Sequence, residues 1–168
     1  MAKGNRRSDR ILEPSYLEGL EGLDEERLRA LRDECEEEES VLSYERRLLH
    51  ARLDIIRAEI ARREAGESPK SLIDRLPEIL TAGEQPTHRG SFPKLDPPPV
   101  FDPPRRRIEK LVTDDTLARL PDLSDEEIAS ILGDLEGIEG EVSESRRAVQ
   151  AVLDRLIEEL GRRLAPRT

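Results

Sequence analysis

Aromatic residues are almost missing from this chain. Among its 168 residues Phe, Tyr and Trp together make up 2 %, and Trp is absent. β-Sandwiches and β-barrels depend on alternating β-branched and aromatic residues, so this scarcity argues against an all-β fold. Leu, Glu, Arg and Ala are abundant instead, and 39 % of the residues are charged. That composition is typical of long helices and coiled coils, whose buried core is a narrow seam.

Cysteines and long apolar runs are also scarce. The single cysteine, Cys35, excludes an internal disulfide framework, and its position on the apolar face of a predicted helix indicates a small buried hydrophobe. No segment approaches the roughly 20 apolar residues that a membrane-spanning helix needs, and the first residues lack the apolar core of a signal peptide. We therefore expect a cytoplasmic protein that does not bind membranes.

The charge balance and the missing motifs exclude further classes of function. A net charge of −10 argues against binding to DNA or to an anionic membrane surface. There is no Cys/His cluster with zinc spacing and no Gly-rich phosphate loop, and no pair among the many carboxylates is marked as an acid–base pair. We expect a binding protein that is not an enzyme and does not contact DNA directly.

An internal repeat with a period of 100 residues aligns residues 17–65 with residues 117–165 without a gap. The identical pairs include Leu17/Leu117, Leu20/Leu120, Leu23/Leu123, Glu36/Glu136, Arg47/Arg147, Leu53/Leu153, Glu59/Glu159 and Arg62/Arg162. Each copy opens with a short Leu-rich segment and a helix N-cap, Asp24 or Ser124. Ser124 and Glu127 also form a capping-box pattern, which strengthens the predicted helix start.

Both copies predict a long helix with one apolar face. Apolar residues recur every seven positions, at Leu28, Cys35, Leu42, Leu49 and Ile56 and again at Ile128, Leu135, Val142, Val149 and Leu156. Each helix should span about 40 residues, or about 60 Å. Since a narrow apolar stripe cannot be buried alone, the two helices should pack on each other. The predicted fold is all-α, a coiled-coil hairpin of two long helices, with antiparallel packing preferred although the linker permits either orientation.

The predicted organisation has four parts. Residues 1–12 should form a disordered tail, and residues 13–65 and 113–165 should form the two helical repeats. The connecting segment, residues 66–112, is proline-rich and should be extended. Within it, the apolar spacing over 70–81 predicts a short helix.

A stripe of polar residues occurs once on each predicted helix. It comprises Glu39, Ser43, Arg46, His50 and Asp54 on the first, and Glu139, Ser143, Arg146, Gln150 and Asp154 on the second. Steps of 4, 3, 4 and 4 residues place the five side chains within about 80° of arc, over about 22 Å of helix. One such stripe alone is explained by a solvated face with intrahelical ion pairs. Such pairs contribute only about 0.3–0.5 kcal/mol, however, and would not keep the stripe in register through a duplication.

The residue types in the stripe suit a guanine nucleotide. Arg presents a planar fork to guanine O6 and N7, and a carboxylate can accept from the N1–H and N2–H₂ edge. Ser, His and Gln can donate to phosphate or ribose oxygens. Two copies imply a ligand or ligand pair with two-fold character. We expect the empty groove to be strongly acidic, with the carboxylates of Glu39, Asp54, Glu139 and Asp154 opposing one another.

The pattern Glu-x3-Ser-x2-Arg-x3-Gln-x3-Asp, present twice on two long helices, resembles the cyclic di-GMP signature of RsiG-type anti-sigma factors. The resemblance implies that the two stripes bind a dimer of cyclic di-GMP, and that the complex holds a sporulation-type sigma factor of the WhiG class inactive. His50 departs from the pattern, in the place of the first glutamine. An alternative from another class is a constitutive coiled-coil adaptor that has a structural role and binds no nucleotide.

Overall fold

The computed structural model describes residues 7–68 and 114–164, together with Pro77. Its α-helices are α1 (Arg7–Ile11), α2 (Glu25–Glu64), α3 (Asp114–Ala118) and α4 (Asp125–Leu164), and its 3-10 helices are Pro14–Leu17, Leu20–Gly22 and Leu120–Asp122. No β-strand occurs within these ranges, in agreement with the predicted all-α fold. The short helix predicted over 70–81 lies outside the described residues except for Pro77, as does most of the proline-rich linker. None of the described helices has both the length and the apolar character needed to cross a membrane.

The two long helices start at the predicted N-caps. The Asp24 carboxylate accepts a hydrogen bond from the backbone N–H of Arg27 at 2.7 Å. At the start of α4, the Ser124 hydroxyl accepts from the Glu127 N–H at 3.2 Å, and the Glu127 carboxylate accepts from the Ser124 N–H at 2.8 Å. These bonds satisfy N–H groups that have no partner inside a helix, so both helices begin at the same position of the repeat.

Contacts along the chain group it into two compact units, and each unit takes part of both long helices. The first unit comprises Met1–Ser43 with Val142–Thr168, and the second comprises Tyr44–Glu141. The contacts that define helix direction are Leu23–Arg163 and Glu39–Arg146 in the first unit, and Arg46–Glu139 and Arg63–Asp125 in the second. In each unit the residue numbers rise along α2 as they fall along α4. The predicted packing of two long antiparallel helices is therefore confirmed in each unit.

The predicted apolar seam forms the core. All ten residues of the two seven-residue series are buried: Leu28, Cys35, Leu42, Leu49 and Ile56, with Ile128, Leu135, Val142, Val149 and Leu156. A fully buried Leu or Ile contributes about 1.5–3 kcal/mol, so the seam is the main source of helix pairing. Cys35 is a free, buried cysteine, and burial raises the pKa of its thiol. Its role as a small core residue agrees with the sequence interpretation.

The structure differs from the prediction at the N-terminal segment. Residues 7–11 were expected within a disordered tail, but they form α1, whose Ile11 is buried. Arg7 lies 2.8 Å from the Glu37 carboxylate, and Arg10 forms an ion pair with Glu34. The helix is too short to show a period in the sequence. It is stabilised by one apolar anchor and by the acidic face of α2, which are tertiary interactions.

Each Leu-rich 3-10 segment is held by an arginine near the end of the opposite long helix. In the first unit Arg163 donates to the carbonyls of Leu20 and Glu21, both at 3.0 Å. In the second unit Arg63 donates to the carbonyls of Leu120 and Pro121, at 3.0 and 3.3 Å. The pairs Arg62/Arg162 and Arg63/Arg163 are each identical in the two copies, but their partners lie far away in the sequence. The sequence alone therefore did not predict this contact.

Candidate functional site

Four polar side chains from both repeats meet in the first unit, and we call them the first cluster. They are Glu39 and Ser43 of α2 with Arg146 and Gln150 of α4. One carboxylate oxygen, Oε1 of Glu39, accepts from Arg146 Nε at 2.9 Å, from Gln150 Nε2 at 3.2 Å and from the Ser43 hydroxyl at 2.8 Å. Arg146 Nε also donates to the Ser43 hydroxyl at 2.7 Å. The cluster thus joins a carboxylate, a hydroxyl, a guanidinium and an amide.

The second unit contains an equivalent set, which we call the second cluster. Here Glu139 belongs to α4, whereas Arg46 and His50 belong to α2. Oε1 of Glu139 lies 3.4 Å from Arg46 Nε and 2.9 Å from His50 Nε2. Ser143, the sequence counterpart of Ser43, belongs to the first unit and is half-buried. The second cluster repeats the carboxylate–guanidinium pair of the first with the contributions of the two repeats exchanged, and an imidazole takes the place of the amide.

Each cluster is therefore assembled across the helix pair rather than along one helix. In the first cluster the Glu and Ser come from the first repeat, and the Arg and Gln come from the second. The periodicity of the sequence groups the predicted site residues by helix, whereas the structure brings residues of both stripes together. The exchange follows from antiparallel pairing of two copies of one motif. The glutamate at the start of the motif on one helix then lies opposite the arginine and the amide or imidazole later in the motif on the other helix.

His50 occupies the place of Gln150 in the second cluster. With the proton on Nε2, its ring donates to Glu139 at 2.9 Å, as the Gln150 amide donates to Glu39. The departure from the glutamine pattern therefore preserves one contact to the carboxylate. It removes the adjacent amide oxygen, which would accept a hydrogen bond beside that donor.

The last residue of each stripe stays outside the clusters. Asp54 is half-buried and Asp154 is exposed. Neither forms a hydrogen bond or ion pair with any residue in the ranges 7–68 and 114–164. Both carboxylates are thus available to a ligand or to water, one helical turn beyond His50 and Gln150.

The expectation of a strongly acidic empty groove is wrong for the two glutamates. Glu39 is paired with Arg146 at 2.9 Å and Glu139 with Arg46 at 3.4 Å. The periodicity placed Glu and Arg on one face of each helix but could not show that the arginine of the other helix would neutralise each glutamate. The side chains of Glu39 and Glu139 are each 23 % exposed, so their carboxylates remain partly open to solvent.

The clusters offer complementary groups to a guanine base and to phosphate. A carboxylate can accept from the guanine N1–H and N2–H₂ groups, while a guanidinium can donate to O6 and N7 or to phosphate oxygens. A ligand that uses these groups must replace the contacts that they now make with each other. Within the part of the chain that the structure describes, no group of three or more His, Cys, Asp or Glu is placed to hold a metal ion.

Comparison with known proteins supports the resemblance carried by the motif. A family model described as RsiG-like matches residues 14–80, a range that includes all of α2 and the whole first stripe, Glu39 to Asp54. No curated protein is a significant match to the chain. Over residues 14–80, the chain is similar to the RsiG-like family.

Proposed function

We propose that this protein is an anti-sigma factor that binds cyclic di-GMP through the two clusters and, in the ligand-bound form, sequesters a sporulation-type sigma factor of the WhiG class. The observation that supports the proposal best is the composition of each cluster from both copies of the motif. Because Arg and Glu come from different helices, only the paired helices present a complete set of ligand-binding groups. A ligand bound there would stabilise the pairing.

The ligand carries its recognition groups in duplicate, as the chain carries its motif in duplicate. Cyclic di-GMP carries two guanines and two phosphates, and a dimer of it, as the resemblance implies, offers further copies of each. We propose that Glu39 and Glu139 accept from guanine N–H groups, while Arg46 and Arg146 meet guanine O6 and N7 or phosphate. Ser43, Ser143, His50 and Gln150 would then bond to remaining polar atoms, and Asp54 and Asp154 would complete the two stripes. Partly exposed ion pairs contribute about 0–1 kcal/mol, so little stability is lost when the ligand replaces them.

Ligand binding would act on the sigma factor through the packing of the helices. A ligand shifts a conformational equilibrium only as far as it binds one state better than the other. In the two clusters, each glutamate forms an ion pair with the arginine of the other helix. In the bound form, the nucleotide would hold the packing that the sigma factor recognises. In this proposal the protein is a cytoplasmic regulator that binds a nucleotide and a sigma factor, catalyses no reaction and does not contact DNA.

Titration calorimetry with cyclic di-GMP tests the proposed site. Arg46→Ala and Arg146→Ala should each weaken binding by about 10- to 100-fold, since each removes hydrogen bonds from a charged donor worth about 1.5–3 kcal/mol. Arg147→Ala is the matched control, because it removes the same charge from an exposed neighbour on α4. Wild-type affinity in the Arg46→Ala, Arg146→Ala double variant would refute the assignment.

Base selectivity is tested in the same experiment with cyclic di-AMP. Adenine lacks the N1–H donor and carries an amino group where guanine has O6, so both carboxylate and guanidinium would be mismatched. We expect no measurable binding of cyclic di-AMP. Equal affinity for the two nucleotides would limit recognition to phosphate.

A constitutive coiled-coil adaptor is the second candidate. It is favoured by one observation, namely that Glu39 and Glu139 have cationic or amide partners within the chain itself. Pull-down of a WhiG-class sigma factor with and without cyclic di-GMP separates the two functions. We expect capture only with the nucleotide; equal capture in both conditions would support a constitutive inhibitor.

A further inference from the structure

A cavity of about 470 Å³ lies in the first unit, and its lining includes no residue of the first cluster. It is formed by the Leu-rich segment before α2 and by the last turns of α4, and its lining includes Leu17, Leu20, Glu21, Arg155, Glu158 and Arg162. Leu17 and Leu20 are half-buried, whereas Arg155, Glu158 and Arg162 are exposed. The cavity therefore combines apolar surface with charges of both signs.

The equivalent position of the second repeat is covered by the chain itself. Arg162 binds the Glu159 carboxylate, and its side chain is 64 % exposed. Its counterpart Arg62 binds Glu59 in the same way but is only 9 % exposed, and it also donates to the backbone carbonyl of Glu67. Likewise Leu120 is completely buried, whereas Leu20 is not. The surface around Arg62 and Leu120 in the second unit is thus covered, whereas the equivalent surface around Arg162 and Leu20 in the first unit is open.

A reversal of the chain after α2 provides part of the cover. Gly66 has a φ of 67°, and the N–H groups of Gly66 and Glu67 donate to the carbonyls of Arg63 and Arg62. This left-handed turn brings the Glu67 carbonyl to Arg62.

We propose that the open cavity is the docking site for an extended segment of the sigma factor, an inference that rests on the proposed function. A backbone carbonyl of that segment accepts from Arg162, as the Glu67 carbonyl accepts from Arg62 in the second unit. An apolar side chain of the segment covers Leu17 and Leu20.

The charges of the lining favour a peptide over a small anion. The three carboxylates of Glu21, Glu158 and Glu159 balance the guanidinium groups of Arg155, Arg162 and the adjacent Arg163, which binds Glu159, so the site has no excess positive charge to hold a phosphate group alone. Arg155 and Glu158 form no hydrogen bond or ion pair with other residues of the described ranges. They can pair with side chains of opposite sign on a partner. A polypeptide is the ligand that supplies carbonyls, apolar groups and both charges together.

The test uses the Arg155→Ala, Arg162→Ala double variant of the full chain. Binding of a labelled WhiG-class sigma factor is measured at saturating cyclic di-GMP, and nucleotide affinity is measured separately by calorimetry. We expect the affinity for the sigma factor to fall at least tenfold and the affinity for cyclic di-GMP to stay unchanged. Arg57→Ala is the matched control, because Arg57 is 53 % exposed and pairs with a single carboxylate, Glu136. It should leave both affinities at the wild-type value.

The outcomes separate this inference from the proposed function. If the wild-type chain binds cyclic di-GMP but no sigma factor, the proposed function fails and the inference fails with it. If the double variant binds the sigma factor as tightly as the wild type, only the docking site is refuted. A change in self-association, measured by sedimentation, without a change in sigma affinity would identify a second copy of the chain as the occupant and would also refute the proposal.

A second measurement covers the case in which the double variant unfolds. A photo-cross-linker is attached to the cysteine of an Arg155→Cys variant, since the native Cys35 is buried. We expect a cross-link to the sigma factor in the presence of cyclic di-GMP. Its absence, with the sigma factor bound, would overturn the proposal.

Discussion

Glu38 shows how far single residues distinguish the two repeats. It is a buried carboxylate at the position where the second repeat has the buried apolar residue Ile138. Desolvation by burial raises the pKa of Glu38, although nearby Arg7 and Ser8 of α1 partly oppose the shift. The first repeat therefore buries the Glu38 carboxylate beside α1. Its ionisation lowers the free energy of unfolding, and this loss grows as pH rises.

Glu38→Gln should stabilise the protein at neutral pH. A carboxyl whose pKa is raised by folding holds its proton more tightly in the folded chain, so its stabilising contribution is complete below the ordinary value of about 4.3 and declines as pH rises through the folded pKa. The amide carries no charge and avoids this loss. We expect a gain of about 1 kcal/mol or less at pH 7 that vanishes towards pH 4, measured by urea unfolding. The exposed Glu36→Gln variant is the control; the same gain there would contradict a burial effect.

At the scale of elements, the equal lengths of α2 and α4 follow from the repeat. Both span 40 residues and begin after a capping side chain in the same register. The caps and the seven-residue spacing act between residues close in sequence, and this is why they were predictable. α1 was not, because five residues contain too little pattern.

Ser124→Ala should destabilise the start of α4. The substitution removes the hydroxyl that accepts from the Glu127 N–H and leaves that donor without its partner. An N-cap serine replaced by alanine costs about 1 kcal/mol, within a range of about 0.5–2 kcal/mol. Urea unfolding checks the change against Ser130→Ala, an exposed serine inside the same helix. A loss of equal size in both variants would mean that the cap contributes no more than an ordinary surface serine.

On the scale of the whole molecule, each unit carries one cluster built from both repeats. The proposed ligand should therefore act on both units. A ligand that binds only the folded form at 100 times its dissociation constant adds about 2.7 kcal/mol to stability.

Hydrogen exchange of the backbone amides measures this effect in each unit separately. With cyclic di-GMP, we expect slower exchange around Glu39 and Arg146 and also around Arg46 and Glu139, together with a higher melting temperature. Cyclic di-AMP should change neither quantity. Protection confined to one unit would show that only one cluster binds, and the absence of any change would favour the adaptor.

The sequence by itself determined the two long helices, their N-caps, the apolar seam and the set of polar residues in the candidate site. These features depend on periodicity and capping, which act over a few neighbouring residues. The tertiary structure alone decided the antiparallel order within each unit and the partners of each side chain. Glu39 contacts Arg146, which lies 107 residues away in the sequence. This ion pair neutralises a carboxylate that the sequence pattern predicted to face other carboxylates. Arg163 reaches the carbonyl of Leu20 across 143 residues. Such contacts depend on which helix faces meet, and local spacing carries no information about the partner face.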